Sequence, residues 1–307
     1  VVWSPLIDFL KLERVLSSLS VALQPLMRMA EVRILSPHLH DTVLTRGSGI
    51  GPAWLSGKSL TRFDVPGLCN EIWRNSTGIA CDDVDQMAGC VLGGGTAINA
   101  GMFFVPQDRE WDYNFPAGWK ASDISAAKQR LFSRIPGTDT PSKDGKRYIQ
   151  EPYDILGAAV KKAGWKEVAI NSNPNAKNRT YGHAPFMFSN GERGGPLATY
   201  LVSAKARSNF KLVMNTMTRR VIRSGSIATG VEVSATSSEG KTGIYKLKAG
   251  GKVILSAGAF GTAKILFRSG IGPKDQLEIV KNSALDGPSM IDQKVFYTPL
   301  HFATVKI

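Results

Sequence analysis

Apolar positions fall into two textures along this chain. Up to about residue 51, clusters such as Leu6-Ile7-Asp8-Phe9-Leu10 are broken by Pro25 and Pro37. Their spacing predicts a helix from about Asp8 to Leu23, ended by Pro25, which has no N–H to continue it. From Trp54 onward, helical and strand-like periods alternate, as in an α/β protein. Helices are predicted over Trp119 to Phe132, over Tyr153 to Ala163 with Gly164 as its cap, and over Ala198 to Arg207. Short strand-like runs follow at Lys211 to Met214, Arg220 to Ile222, Gly230 to Val233 and Lys252 to Leu255, and Ser237 to Lys241 reads as a turn. The run Val253 to Leu255 passes straight into Ser256-Ala257-Gly258-Ala259-Phe260-Gly261 and a helix from Thr262 to Arg268. The expected body is α/β, with Val253 to Leu255 in a parallel sheet and antiparallel strands from Lys211 to Val233.

Composition narrows the class. The 307 residues suffice for one large domain or two. Hydrophobic residues are 43% and charged residues 21%, which excludes a wholly disordered chain. No uninterrupted apolar run approaches the ~18 residues of a membrane helix, so no membrane partner is expected. Lys and Arg outnumber Asp and Glu by 38 to 25, a net +13 that raises the question of a polyanion. The longest basic runs are the pairs Lys161-Lys162 and Arg219-Arg220, so the charge reads as a scattered, solvated surface and no nucleic-acid partner is expected. The cysteines, Cys69, Cys81 and Cys90, are too few for a disulfide-built scaffold and fit no zinc spacing. No metal is expected. Cys81 and Cys90 flank a short segment and could meet across a hairpin.

Two segments could carry chemistry. Gly93-Gly94-Gly95 opens the stretch to Gly101, with Thr96 and Asn99 at fixed offsets. Three successive glycines cost backbone entropy, so they belong where a side chain would obstruct something, and their N–H groups can surround a phosphate or a flat heterocycle. An ordinary flexible turn is the plainer reading. The second segment is the handover at Gly258 and Gly261, placed where α/β folds bind nucleotides at the carboxyl end of a sheet. Gly47-Ser48-Gly49-Ile50-Gly51 lacks the G-x-G-x-x-G spacing and is rejected as a phosphate loop. His38, His40, His183 and His301 have no neighbouring nucleophile or carboxylate that suggests a triad, and read as surface or structural residues.

In this order, these pieces resemble the flavin domain of the glucose–methanol–choline oxidoreductases, and within them the fungal cellobiose-oxidising flavodehydrogenase branch. Several runs carry the likeness: Leu60 to Leu68, Gly89 to Asn99, Pro141 to Tyr148, Gly195 to Leu201 and Val253 to Pro273. Ser269-Gly270-Ile271-Gly272 matches the end of the family's second signature, although Ala263 stands where that pattern has Ser or Pro. The likeness covers about Trp54 to Asn282.

The resemblance implies an incomplete FAD-binding, Rossmann-like α/β fold with part of a substrate domain, and an enzyme that oxidises CH–OH donors, a sugar or an alcohol. Gly93, Gly94, Gly95, Thr96, Asn99, Ala100 and Met102 would line the flavin and pyrophosphate. Thr218 would offer its backbone to the adenine, and Ala257 and Gly258 would approach the dinucleotide. Residues 52–282 would form the flavin-binding portion, 1–51 a leader without assigned function, and 283–307 the start of a substrate-domain region. The leader offers none of the family's opening strand, glycine loop and acidic residue. The family's catalytic His lies beyond the last residue given, so no catalytic residue is named and the chain as given is expected to be catalytically incomplete. An electron acceptor or a haem domain is left open as partner. An extracellular location follows from the likeness, and with the sequons Asn75-Ser76-Thr77 and Asn178-Arg179-Thr180 it leads to an expected Cys81–Cys90 disulfide with Cys69 free. The alternative is a non-catalytic remnant or binding module that binds flavin weakly or not at all.

Overall fold

The computed structural model describes Val32–Leu35, residue 65, and residues 79–81, 88–135, 137–284 and 296–297. The helix expected at Asp8 to Leu23, the sequon at Asn75, Cys69, and His38, His40 and His301 lie outside the described residues.

The helices follow from local signals. α1 is a single turn, Gly95–Ile98. α2, Asp108–Asn114, starts where the Glu110 carboxylate accepts from the Gln107 N–H at 3.2 Å. α3 spans Ala121–Arg134, two residues later than its apolar period suggests. Trp119 is held in a turn by its N–H on the Pro116 carbonyl (3.1 Å), and the Asp123 carboxylate accepts from the Lys120 N–H (3.0 Å), which fixes the start there. α4 runs Glu151–Lys162, two residues earlier than expected, because Pro152 lies in the first turn, where its missing N–H costs nothing. Gly164 follows in a left-handed conformation (φ 81°) and closes the helix as predicted. The third predicted helix is a π-turn, Leu197–Leu201, continued by α5, Val202–Lys205.

Strands are short and arranged in small sheets. β1 (Val32–Leu35) pairs in parallel with β6 (Phe210–Val213). β2 (Lys166–Glu167) pairs in parallel with β3 (Thr180–Tyr181), and β4 (Phe188–Ser189) with β5 (Glu192–Arg193) as a hairpin. The principal sheet is antiparallel, β7 (Thr216–Ser224), β8 (Ile227–Ala235) and β9 (Gly243–Lys246), with Val221 opposite Val231 and Thr218 opposite Val233. β10 (Ile271–Gly272) pairs in parallel with β11 (Phe296–Tyr297). α6 (Gly258–Arg268) and α7 (Lys274–Lys281) flank β10.

Three expectations are corrected. Val253 to Leu255 is not a strand and belongs to no parallel sheet. Leu255 is buried and Val253 half-buried against the core beneath α6, so the run packs by its side chains without ladder partners among the described residues. The strand at Lys211 is parallel rather than antiparallel, because its partner is β1. That partner lies in the leader, from which no strand was expected.

Apolar burial forms three clusters. Ile79, Val91, Ala97 and Ile98 make the first, with Leu92, Leu197 and Met214 against them. Val221, Val231 and Val233 on alternate positions of the principal sheet meet Leu255, Ile265 and Leu266 in the second. Ile135, Met187, Tyr200 and Ala204 form the third, with Leu131 and Phe210 packed on it. Each buried Val, Leu, Ile or Met side chain among them contributes about 1.5–3 kcal/mol by leaving water.

Candidate cofactor site

The glycine stretch is built as a sequence of close turns. The Gly94 N–H donates to the Val91 carbonyl at 2.8 Å, and Gly93 (φ 92°) and Gly94 (φ 55°) both take the left-handed conformation that favours glycine. A Cβ on Gly93 would stand 2.9 Å from the Leu197 side chain, so close packing as well as dihedral angle requires glycine there. The Thr96 hydroxyl donates to the Gly93 carbonyl at 2.6 Å and locks the turn onto α1. Ala97 and Ile98 face the core, which leaves Gly95 and Asn99 outward. The chain then passes Ala100 to Gly101, whose N–H donates to the Asn99 carboxamide oxygen at 2.9 Å, and to Met102, 53% exposed.

A hairpin underlies this segment. The Met187 N–H donates to the Gly101 carbonyl (2.8 Å) and the Phe103 N–H to the Pro185 carbonyl (2.8 Å). Gly101 lies so close to the Phe188 ring that a Cβ would collide with it. From β5, Arg193 reaches the Thr96 carbonyl, the Asn99 carbonyl and the Asn99 side chain. Sequence reasoning did not select Arg193, since its partners lie more than 90 residues away and nothing in its own neighbourhood points to them.

The second segment begins α6. The Ala257 N–H donates to the Thr262 hydroxyl at 3.0 Å, and Gly258 has φ 76°. Ala257 and Gly258 are exposed, and no acidic side chain occupies the first turn of this 11-residue helix. Its N-terminal N–H groups and the positive end of its dipole therefore face outward, as an anion requires. Thr218 is half-buried on β7, immediately before a register shift that opens the ladder between Thr218 and Arg220.

The predicted residues thus form two groups. Gly93, Gly94, Gly95, Thr96, Asn99, Ala100 and Met102 lie on one continuous turn-and-helix segment. Thr218, Ala257 and Gly258 belong to the sheet and helix of the second core. Met214, two residues before β7, packs against the first core, and Val221 on β7 belongs to the second. A Cβ on Gly95 or on Gly258 would meet no atom within 4 Å, so both backbones are open to a ligand, as they are at other exposed glycines such as Gly145 and Gly225.

The titratable groups do not add a reaction centre here. His183 stacks on Tyr153 with ring centroids 3.6 Å apart and shares a hydrogen bond with Gln150 at 3.1 Å. Burial, then the nearby Arg147 charge, lowers its pKa. Burial and the Glu167 carboxylate, which accepts the Tyr153 hydroxyl at 2.8 Å, raise that of Tyr153. This is a packed structural His, as its lack of sequence partners suggested. Among the described residues, no group of three or more His, Cys, Asp or Glu side chains could hold a metal ion. Cys81 and Cys90 form the expected disulfide, with Cα atoms 4.9 Å apart, and Ala80 and Gly89 bridge beside it.

Comparison with known proteins gives a consistent neighbourhood. A family profile described as GMC oxidoreductase matches residues 70–287, more than half of the chain. An oxygen-dependent choline dehydrogenase of Vibrio vulnificus is 30% identical over 203 residues, 62% of this chain and 35% of that protein. An FAD- and quinone-dependent glucose dehydrogenase of Drosophila melanogaster is 30% identical over 204 residues, 62% of this chain and 32% of that protein. The chain therefore spans about a third of the length of these curated relatives. Among solved structures, a formate oxidase of Aspergillus oryzae superposes with a TM-score of 0.60 at 18% identity, over 85% of this chain and 46% of that one. A fungal aryl-alcohol oxidase gives 0.54 at 17% identity, over 86% of this chain and 48% of that one. The structural likeness establishes the fold.

Proposed function

We propose a function from one premise: the chain belongs to the GMC oxidoreductase family, whose members depend on FAD. It binds FAD and serves in the oxidation of a CH–OH donor, a sugar or small alcohol. The observation that carries this reading is the Gly93–Gly94 turn, left-handed at both residues and locked by the Thr96 hydroxyl, inside the 70–287 stretch that matches the family. When bound, FAD supplies an acceptor for the hydrogen and two electrons that leave an alcohol carbon. The chain's own residues bind and orient. Gly95, Thr96, Asn99 and Ala100 would hold the flavin and pyrophosphate, Gly93 and Gly94 would shape the turn that presents them, and Met102 would line the flavin side. Ala257 and Gly258, at the α6 N-terminus, would approach the dinucleotide, and the Thr218 backbone would meet the adenine.

The donor is proposed to be of the cellobiose type, on the runs Leu60 to Leu68 and Pro141 to Tyr148. The choline and glucose dehydrogenases among its relatives support a small polyhydroxy or amino alcohol as the wider class. An extracellular location is supported by the Cys81–Cys90 disulfide and by Asn178, an exposed glycosylation acceptor.

The test is spectroscopic. The protein is expressed, saturated with FAD, freed of excess cofactor and mixed anaerobically with cellobiose, glucose or choline. Retained flavin absorbance supports binding, and its bleaching by one of these donors supports oxidation. Failure to retain any flavin refutes the reading.

A further inference from the structure

We infer that Arg193 is a positioning residue for the cofactor, a clamp that sets the backbone from Thr96 to Gly101 before flavin arrives. This rests on the flavin reading of that segment. The β4–β5 hairpin turns at Asn190 (φ 54°) and Gly191 (φ 79°), two successive left-handed residues whose twist suits a tight hairpin. The turn returns Arg193 to a position opposite Phe188. Its guanidinium lies over the Phe188 ring, 5.6 Å from the centroid, which limits its freedom.

From there it meets acceptors at two points of one short segment. Nη1 donates to the Thr96 carbonyl at 3.1 Å and to the Asn99 carboxamide oxygen at 3.0 Å. Nη2 donates to the Asn99 carbonyl at 2.6 Å. The Thr96 and Asn99 carbonyls lie at the C-terminal end of α1, where helix carbonyls lack an intrahelical partner. The same Asn99 oxygen also accepts from the Gly101 N–H at 2.9 Å, so Arg193 and Gly101 are tied through one atom. Met187, the residue before β4, holds the other side of Gly101 with its N–H on the Gly101 carbonyl.

The planar guanidinium suits this arrangement because it presents several donors in a fixed fork, whereas a lysine ammonium is a single flexible point. Gly95 and Met102 face outward on either side of the clamped residues. Fixing the backbone between them lowers the ordering cost that a flat, rigid ligand would otherwise meet on binding.

The test compares Arg193→Gln and Arg193→Lys with the unaltered chain. Three readings are taken: amide hydrogen exchange over residues 96–102 without cofactor, FAD affinity by fluorescence, and the visible circular dichroism of bound flavin. Exchange in the segment should quicken in Arg193→Gln while exchange in β7 and β8 is unchanged. FAD affinity should fall roughly 10- to 100-fold, the scale of one lost charge-assisted hydrogen bond. Arg193→Lys should recover part of that loss, and the flavin circular dichroism should change in both variants. Unaltered affinity and exchange in both variants would overturn the inference. Faster exchange with unaltered affinity overturns it too, since the contact would then be purely structural. Absence of FAD binding by the unaltered chain removes the flavin reading and this role with it, while the exchange data still report on the clamp alone. Should Arg193→Gln fail to fold, Arg193→Lys decides: affinity and circular dichroism equal to the unaltered chain overturn the inference.

Discussion

Ser269 is fully buried, and its hydroxyl serves two backbone groups at once. It donates to the Ile265 carbonyl at 2.6 Å within α6 and accepts from the Val221 N–H of β7 at 2.8 Å. A single side chain thus joins the helix to the register-shifted strand that carries Thr218, which gives a physical reason for a serine at the head of Ser269-Gly270-Ile271-Gly272. Ser269→Ala strands the buried Val221 N–H at a cost of about 1–3 kcal/mol. In a chain of this size the melting temperature should fall by roughly 2–5 °C; an unchanged value in calorimetry would refute the role. His183 makes a pH-dependent contribution of opposite chemistry. Burial and Arg147 lower its folded pKa below the ordinary 6.5, so the unfolded chain takes up the proton first. Its contribution to stability is complete above about pH 6.5 and declines as pH falls through the folded value. His183→Phe, which keeps a ring against Tyr153 without a proton to gain, should flatten that part of the melting temperature's pH dependence. An identical acid profile in both proteins would count against it.

At the scale of elements, the sequence was most informative where the signal is local. The helices α3, α4 and α6, the Gly164 cap and the β7–β8 hairpin follow from period and punctuation within a few residues of each. The strand status of Val253 to Leu255 did not, because a parallel strand is made by its neighbour and not by its own Val-Ile-Leu composition. The parallel partner of Phe210–Val213 lies in β1, over 170 residues earlier, and no local pattern announces it. The same distinction divides the candidate site. The glycines and Thr96 were legible because their backbone requirement is written in their own identity, whereas Arg193 acts through tertiary contacts. The Cys81–Cys90 link is intermediate, a short-range pair whose neighbours Cys81 N–H and Ala88 carbonyl (2.8 Å), and Cys90 N–H and Ile79 carbonyl (2.7 Å), already hold the two sides together. Closing a loop of this length removes roughly 2–3 kcal/mol of chain entropy from the unfolded state. Reduction, or replacement of both cysteines by serine, should lower the melting temperature by roughly 3–5 °C. Because Ile79 packs with Ala97 and Ile98, the effect should extend to faster amide exchange in α1. A melting temperature indifferent to reductant would show that the bond adds no stability.

Across the whole molecule, the two cores that carry the candidate site share one strand region: Met214 enters the first core and Val221 the second. A ligand that touches both the glycine turn and the α6 N-terminus therefore stabilises two packed units through one binding event. The net charge of +13 adds a favourable field for an anionic ligand, one that salt weakens. Linkage sets the size of the effect. A ligand that binds only the folded chain, at about 100 times its dissociation constant, adds about 2.7 kcal/mol. For a chain of this size that corresponds to roughly 4 °C in melting temperature. ADP, which offers the adenine and phosphate portion alone, should give a smaller shift at equal concentration, because the Gly93 to Met102 segment loses its flavin-side partner. Riboflavin, without phosphates, should give less than either, since the α6 N-terminus then has no anion to face. Higher ionic strength should reduce the FAD and ADP shifts and leave that of riboflavin nearly constant. Scanning calorimetry with the three ligands distinguishes these outcomes. Equal shifts for FAD and riboflavin would show that the phosphates find no partner at Gly258, and equal shifts for FAD and ADP would remove the flavin from the Gly93–Met102 segment.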